Sequence, residues 1–515
     1  MSNNIFIMPI VEKFKKNAPG LLRELKGNPE EYWMQRGEKD ALKLFWEMAD
    51  RVPAYKDFLE KRDFDAKSVK TIEDFKRVPI TDKQNYLLSY PLEALCWDEK
   101  FSEGQWTIAS TSGSTGEPFY FPRTRFQDEQ FALTAELVFV DYFGIDKKST
   151  LFIDCFALGV WIGGMFSYQA VKYLSDKGDY PLTIITPGAD KIETLKAIKG
   201  LAHRFDQIIL GGYAPLVKDL IDDGIDAGIE WSRYSMKYFF AAEGFTEGYR
   251  DYIKQKGGVR DIYRGTINHY GTADLGTMSH ETPLSILARR FAVKDAALYG
   301  DIFSETSRLP TLTQFIPELY FFEQIDGHLL CSGRGGLPLM RYDLKDRGNV
   351  YTLREFADIY ARHGIDLVQE AKKVGISDTV WHLPFVYVAE RTDFTVNIYS
   401  VNVFPESIRK ALEDAELQKS LTGKFSMHVG YNEEQNQYFE INIELRPTAQ
   451  ESDVLRQKSY DAIITWLNKE NSEWRDFWAN ESIQRKIAPK IILWPYQDPK
   501  HFKPGGKQKW VRGQS

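Results

Sequence analysis

The chain has 515 residues, of which 43% are apolar, 27% charged and 14% aromatic. That is ordinary globular material with apolar mass for a large core; it excludes a collagen, a coiled coil and a wholly disordered chain, and about 150 residues per domain gives two to four domains. With 66 basic against 73 acidic residues the net charge is −7, so the chain lacks the basic footprint of a general nucleic-acid binder.

In chain order, residues 1 to about 100 read as helical. Residues 40–48 (DALKLFWEM) carry apolar side chains at helical spacing, and Pro53, Pro79 and Pro91 punctuate the region. Thr81 and Asp82 ahead of KQNYLL predict a helix N-terminus. From 106 to about 345, short β-type runs alternate with helical patterns. Residues 149–156 (STLFIDCF), 182–186 (LTIIT) and 207–210 (QIIL) predict strands, and 195–205 and 216–227 predict intervening helices. Such alternation predicts an α/β fold with much parallel pairing.

After about residue 390 the pattern changes. Residues 404–412 and 452–469 predict helices, 425–431 and 438–445 a hairpin around NEEQNQ, and 489–494 (PKIILW) a strand. The expected organisation is a large, multi-subdomain α/β domain over 1–390, mainly helical at its start, and a small mobile α+β domain over 391–515. Cys96, Cys155 and Cys331 are far apart, so neither a disulfide framework nor a Cys-rich zinc site is expected. The longest uncharged run, 155–171, holds three glycines and is short for a membrane span. With no signal-peptide pattern at the start, the expectation is a reduced, soluble, cytoplasmic protein.

Five motifs carry candidate chemistry. Thr111, Ser112, Gly113, Ser114, Thr115 and Gly116 place four hydroxyls and two glycines in six residues after a β-type run. Glycines let backbone N–H groups converge on a phosphate, and hydroxyls add donors. The alternative is a flexible surface turn. His269 to Asp274 offers Tyr270 to stack a base and Asp274 to meet Mg²⁺, or simply a turn. Residues 337–346 (LPLMRYDLKD) end on Asp346, a carboxylate suited to a ribose diol; a salt-bridge cluster is the alternative. Residues 390–393 (ERTD) and 401–408 (VNVFPESI) sit where the composition shifts, as a hinge would. Gly505-Gly506-Lys507 places a mobile point charge on a glycine loop, or marks a solvated basic tail.

In this order the motifs resemble the adenylate-forming superfamily of acyl-CoA synthetases, luciferases and peptide-synthetase adenylation domains. Within it the chain looks most like phenylacetate–CoA ligases. Residues 51–56 (RVPAYK), 71–75 (TIEDF) and 78–83 (VPITDK) are similar to that subfamily's N-terminal segment, and Ala242-Glu243-Gly244-Phe245 sits where the family has a stretch beside adenine.

The resemblance implies a two-step reaction: a carboxylate attacks the α-phosphate of MgATP, and a thiol, CoA by expectation or that of a carrier protein, then displaces AMP. It implies that Thr111, Ser112, Gly113, Ser114, Thr115 and Gly116 bind phosphate and that Ala242, Glu243, Tyr270 and Gly271 border adenine. Thr272 would approach the α-phosphate, Asp274 would hold Mg²⁺, Asp346 the ribose, and Arg391 ribose or phosphate. Asp393 would be the hinge and Lys507 the lysine of the adenylation step. Phe156, Trp161 and Phe240 suit an aryl acid pocket, and equally a core. Ser400 stands at the thiol tunnel where the family has glycine, a departure that favours a non-CoA acceptor: a carrier thiol, an amine, or a hydroxyl that is nucleotidylated. Glu117 and Asp274 also depart from the family's lysine and glutamate, and give footing to a non-catalytic nucleotide-binding homologue. Relatives imply a homodimer; neither nucleic acid nor membrane is an expected partner.

Overall fold

The computed structural model describes residues 9–111, 119–304, 309–391 and 395–502, with Glu390 and Arg391 described by their backbone. The N-terminal region is helical. Asn17 caps the helix Ala18–Gly27 by accepting from the Gly20 amide at 3.1 Å. The long helix Glu30–Arg51 buries Trp33, Gly37, Ala41, Leu44, Phe45 and Met48, a stripe at three- and four-residue spacing. A Cβ on Gly37 would come within 2.4 Å of Pro317 Cβ, so the glycine permits this helix to dock.

The predicted helix after Thr81 is not formed. Residues 83–86 make a turn, followed by the single 3₁₀ turn Leu87–Ser89. Asp82 and Asn85 do exchange cap-like hydrogen bonds, at 2.7 and 2.8 Å. The Thr81 backbone, however, is taken by Arg341 and Asp343 across a long-range bridge, which local capping signals do not report.

A hairpin of β1 (Thr107–Ser110) and β2 (Tyr120–Arg123) precedes the main sheet. The main sheet has eleven strands: β3 (Thr150–Asp154), β4 (Leu182–Ile185), β5 (Gln207–Gly212), β6 (Met236–Phe240), β7 (Thr266–Thr272), β8 (Gly276–His280), β9 (Thr311–Gln314), β10 (Tyr320–Ile325), β11 (His328–Gly333), β12 (Leu339–Tyr351) and β13 (Phe385–Arg391), in the order β10-β11-β12-β13-β9-β8-β7-β6-β5-β3-β4. From β4 to β7 the pairing is parallel. Every residue of β3 and β5 is buried, as a sheet covered on both faces requires. Helices Ile162–Lys177, Lys191–Leu201, Ala214–Asp226 and Glu247–Lys256 make the crossovers. From β7 to β10 the pairing is antiparallel.

Among the described residues, no strand after Arg391 joins this sheet. β14 (Val396–Ile398) and β15 (Val401–Val403) form a hairpin, and β16 (Leu421–Tyr431), β17 (Gln437–Leu445) and β18 (Lys490–Trp494) a second small sheet. Helices Pro405–Leu412 and Asp453–Glu470 pack with it. The result is a mixed α/β fold with a large N-terminal body and a small α+β C-terminal part. Among the described residues no helix is long and apolar enough to cross a membrane.

Candidate functional site

In an open parallel sheet the strand order reverses at one place, and side chains beyond the carboxyl ends there face a crevice. Here the reversal lies between β3 and β5, because the chain passes from β3 outward to β4 and returns to β5. Beyond β3 lie Asp154 and residues 155–161; beyond β5 lies Tyr213, whose ring meets Phe156 edge-on at 5.1 Å. The β1–β2 hairpin joins this crevice: the Ser110 amide donates to the Val160 carbonyl at 2.9 Å. Thr111 closes that hairpin by exchanging backbone and side-chain bonds with Phe119, each 3.1 Å. Ser112, Gly113, Ser114, Thr115 and Gly116 lie outside the described residues, as do Asp393 and Lys507.

The middle of the sheet brings together residues far apart in sequence. Tyr270, on β7, donates its hydroxyl to Asp346 Oδ2 at 2.6 Å. Asp346 is buried on β12, and its register partner on β13 is Arg391. Two residues beyond the end of β7, Asp274 accepts from the Tyr342 hydroxyl at 2.7 Å. Thr272 accepts from the Leu275 amide at 3.3 Å and so shapes the same turn. A β-bulge at Tyr270/Gly271 aims these side chains. A Cβ on Gly271 would lie 2.5 Å from the Gly276 carbonyl oxygen, so β8 could not approach a larger residue there.

Ala242 follows β6 with φ of 72°, a left-handed conformation that an L side chain rarely adopts. The next residue, Glu243, reaches the C-terminal part: Ser400 donates to its Oε1 at 3.2 Å and Gln437 to its Oε2 at 2.9 Å. Ser400 and Tyr399, with φ of 66° and 50°, form the two-residue turn between β14 and β15. Two positive φ values are what such a turn demands, usually of Asn-Gly. Nearby, Asp219 accepts from the Tyr399 hydroxyl at 2.8 Å and Lys486 at 3.0 Å. Gln437, Asp219 and Lys486 carried no motif in the sequence; each is separated from its partner by at least 38 residues.

Burial decides protonation around the crevice. Asp154 is buried, accepts from the Phe156 amide at 3.2 Å, and leaves Oδ2 without a partner. Desolvation pushes its carboxyl up to about 8. His269, stacked on Phe239 at 4.7 Å, and His280 are register partners beneath Tyr270. Burial lowers both to about 3, so they are neutral packing residues at physiological pH. Phe240 lies deep in the core against Tyr238, Phe245 and Tyr249. Phe156 is likewise fully buried, and Trp161 is buried beside the exposed residues Leu158 and Val160.

For a metal, the described residues hold no cluster of three or more His, Cys, Asp or Glu side chains. The half-buried Asp274 is a single hard carboxylate. That donor set suits Mg²⁺, which binds through one or two carboxylates together with substrate phosphates and waters.

No protein-family model and no curated protein matches this sequence. Solved structures do match. The structure of 2-hydroxyisobutyryl-CoA ligase in the thioesterification state, in complex with 2-HIB-AMP and CoA, is similar with a TM-score of 0.65 at 13% identity, covering 95% of this chain and 91% of that chain. The same ligase in its postadenylation state, with R3-HIB-AMP, gives 0.54 at 13% identity, covering 96% and 91%. Its open conformation, with 2-HIB-AMP and CoA, gives 0.52 at 12% identity, covering 93% and 91%. This chain therefore shares, over nearly its whole length, the fold of 2-hydroxyisobutyryl-CoA ligase.

Proposed function

We propose that this chain is an ATP-dependent ligase that activates a carboxylic acid as acyl-AMP and passes the acyl group to a thiol, CoA in the first instance. The observation that carries the reading is the Tyr270–Asp346 pair beside Arg391, set in the middle of a CoA-ligase fold. An aromatic ring in contact with a buried carboxylate, and an arginine in register with that carboxylate on the neighbouring strand, suit the ring, diol and phosphate of AMP.

In the first step a carboxylate oxygen attacks the α-phosphorus, the bond to the bridging oxygen breaks, and pyrophosphate leaves. Thr272 would steady the α-phosphate, and residues 111–116 the outgoing phosphates. Asp274 would hold Mg²⁺ with those phosphates, and the ion would supply charge neutralisation there. Lys507, carried by a lid over 391–515 that turns about Asp393, would add a cation as negative charge develops. In the second step the thiolate attacks the acyl carbon and AMP leaves with the bonding electrons.

The higher overlap with the thioesterification state, together with the Ser400–Glu243 contact, supports reading the present arrangement as the thioester-forming one. The aromatic crevice beyond β3 and β5 suits an aryl or arylacetic acid of the phenylacetate–CoA ligase type. Ser400 favours the second reading, an acceptor other than CoA, because its side chain occupies space at the lid face.

The test is carboxylate-dependent ATP–pyrophosphate exchange over aryl, arylacetic, fatty and amino acids without CoA. Exchange with one acid class is the expected result. Silence across the panel from protein that binds ATP would overturn acid activation. Product analysis with and without CoA then separates the two acceptors.

A further inference from the structure

The amino edge of the parallel strands carries a feature that the candidate site does not use. Residues 147–148 precede β3, residues 205–206 precede β5, and residues 234–235 precede β6. These three loops, joined by Arg260, border an open surface cavity of about 660 Å³. Lys147, Lys148, Arg233 and Arg260 line it, with Asp206 as the acid among its lining residues. The candidate site lies at the opposite, carboxyl ends of the same strands. Five residues of β3 at about 3.3 Å each put roughly 16 Å between the two edges.

Basic side chains outnumber the acid in this lining, Lys147, Lys148, Arg233 and Arg260 against Asp206. Arg233 is held by Glu230 at 2.6 and 2.8 Å. Asp206 is committed to the Ser149 hydroxyl and amide, at 2.7 and 2.9 Å. Among the described residues, no acid lies within ion-pair distance of Lys147, Lys148 or Arg260. A neighbour feels these cations: Lys237, on β6, is pulled down to about 8, first by burial and then by Lys148, opposed by Asp261 and with lesser effects of Arg264 and Arg260. A chain of net charge −7 nevertheless places a single acid, Asp206, among the lining residues. Two half-buried aromatic side chains, Phe205 and Tyr234, share the lining. The positive charge is confined to one concave site and forms no stripe of the kind a nucleic acid requires.

We infer that this cavity is a second ligand site, for a nucleoside polyphosphate: Lys147, Lys148 and Arg260 take the phosphates, and Tyr234 and Phe205 flank the base. Lysine and arginine around a concave wall bind phosphate oxygens by charge-assisted hydrogen bonds. A flat ring on Tyr234 would add the selectivity for a nucleotide over a bare phosphate. The inference is independent of the proposed acid activation, since it concerns the other edge of the sheet.

The experiment is calorimetric titration of the full chain with ATP, inorganic pyrophosphate and adenosine separately. It uses wild type, Lys148→Glu/Arg260→Glu, Tyr234→Ala, and Asp346→Asn at the candidate site. Two ATP equivalents are expected for wild type and one for the charge-reversed variant, whose ATP–pyrophosphate exchange stays unchanged. Asp346→Asn should keep the cavity's equivalent. Lys148→Met/Arg260→Met keeps the side-chain volume and should weaken ATP at this site about tenfold or more, guarding against a folding defect. Tyr234→Ala should weaken ATP and leave pyrophosphate unaffected. An ATP stoichiometry that the charge-reversed variant leaves unchanged, or pyrophosphate bound as tightly as ATP, would overturn the inference. Loss of exchange alone, with both equivalents kept, would bear on the proposed function and leave this site standing.

Discussion

The parallel and antiparallel halves of the large sheet are built to different tolerances. From β4 to β7 every pair runs in unbroken register. Beyond β7 the ladder shifts at Tyr270/Gly271, twice along β11, and at Arg347/Gly348. Crossover helices clamp the parallel half on both faces, so a slip there would turn buried side chains outward. The antiparallel half admits bulges, and two of its shifts fall at Tyr270 and next to Asp346, the pair proposed to meet AMP. The contrast teaches that the parallel half supplies a platform and the antiparallel half supplies the polar geometry.

The join between the halves offers the largest test. Glu281, fully buried after β8, accepts from Arg250 at 2.7 Å, Arg289 at 3.2 Å and the Asn268 amide at 2.9 Å. Glu281→Ala removes one of the two carboxylates, Glu281 and Glu247, that the buried Arg250 and Arg289 share, and should cost about 3 kcal/mol in urea unfolding. A loss below about 1 kcal/mol would mean that the halves are joined by packing alone.

A smaller effect separates the halves by pH. The Asp154 carboxyl, on the parallel platform, is raised to about 8 in the folded chain, against about 3.9 when unfolded. Below both values it is protonated in either state and exerts no effect. As pH climbs between them the unfolded chain ionises first, so stability falls, and the loss is complete above the folded value. Asp154→Asn should match wild type near pH 4 and gain on the order of 2 kcal/mol at pH 8. An equal difference at both pH values would contradict the burial argument. His269 and His280 act at the other limb. Their values are lowered to about 3, so stability is intact above about 6.5 and is lost as pH falls below it.

The smallest effect concerns the platform's left-handed residue beyond β6. Ala242 has φ of 72°, and Ala242→Gly should raise stability by about 0.5 kcal/mol. A destabilisation would show that the methyl group packs more favourably than the backbone is strained.

Much of the fold was legible because it is periodic and local. The strands at β3, β4 and β5, the hairpin β16–β17 and the long C-terminal helix lie where apolar spacing put them. The turn after Thr81 was not, because Thr81 pairs with Tyr342, 261 positions away in sequence order. The candidate site divides the same way. Tyr270, Asp274 and Asp346 stood out by residue type within short motifs. Gln437, which holds Glu243 from 194 residues away, carries no local mark. Nor does Asp154 announce in sequence that its carboxyl is buried without a partner for Oδ2.

The central claim is that Tyr270, Asp346 and Arg391 frame an AMP site. The direct test is calorimetric titration of AMP into wild type and Asp346→Asn, a change that keeps an acceptor for the Tyr270 hydroxyl. The account predicts saturable AMP binding by wild type and a weakening of at least about tenfold in the variant, with thermal unfolding nearly unchanged. Equal AMP affinity in the two proteins, or none in wild type, would contradict it.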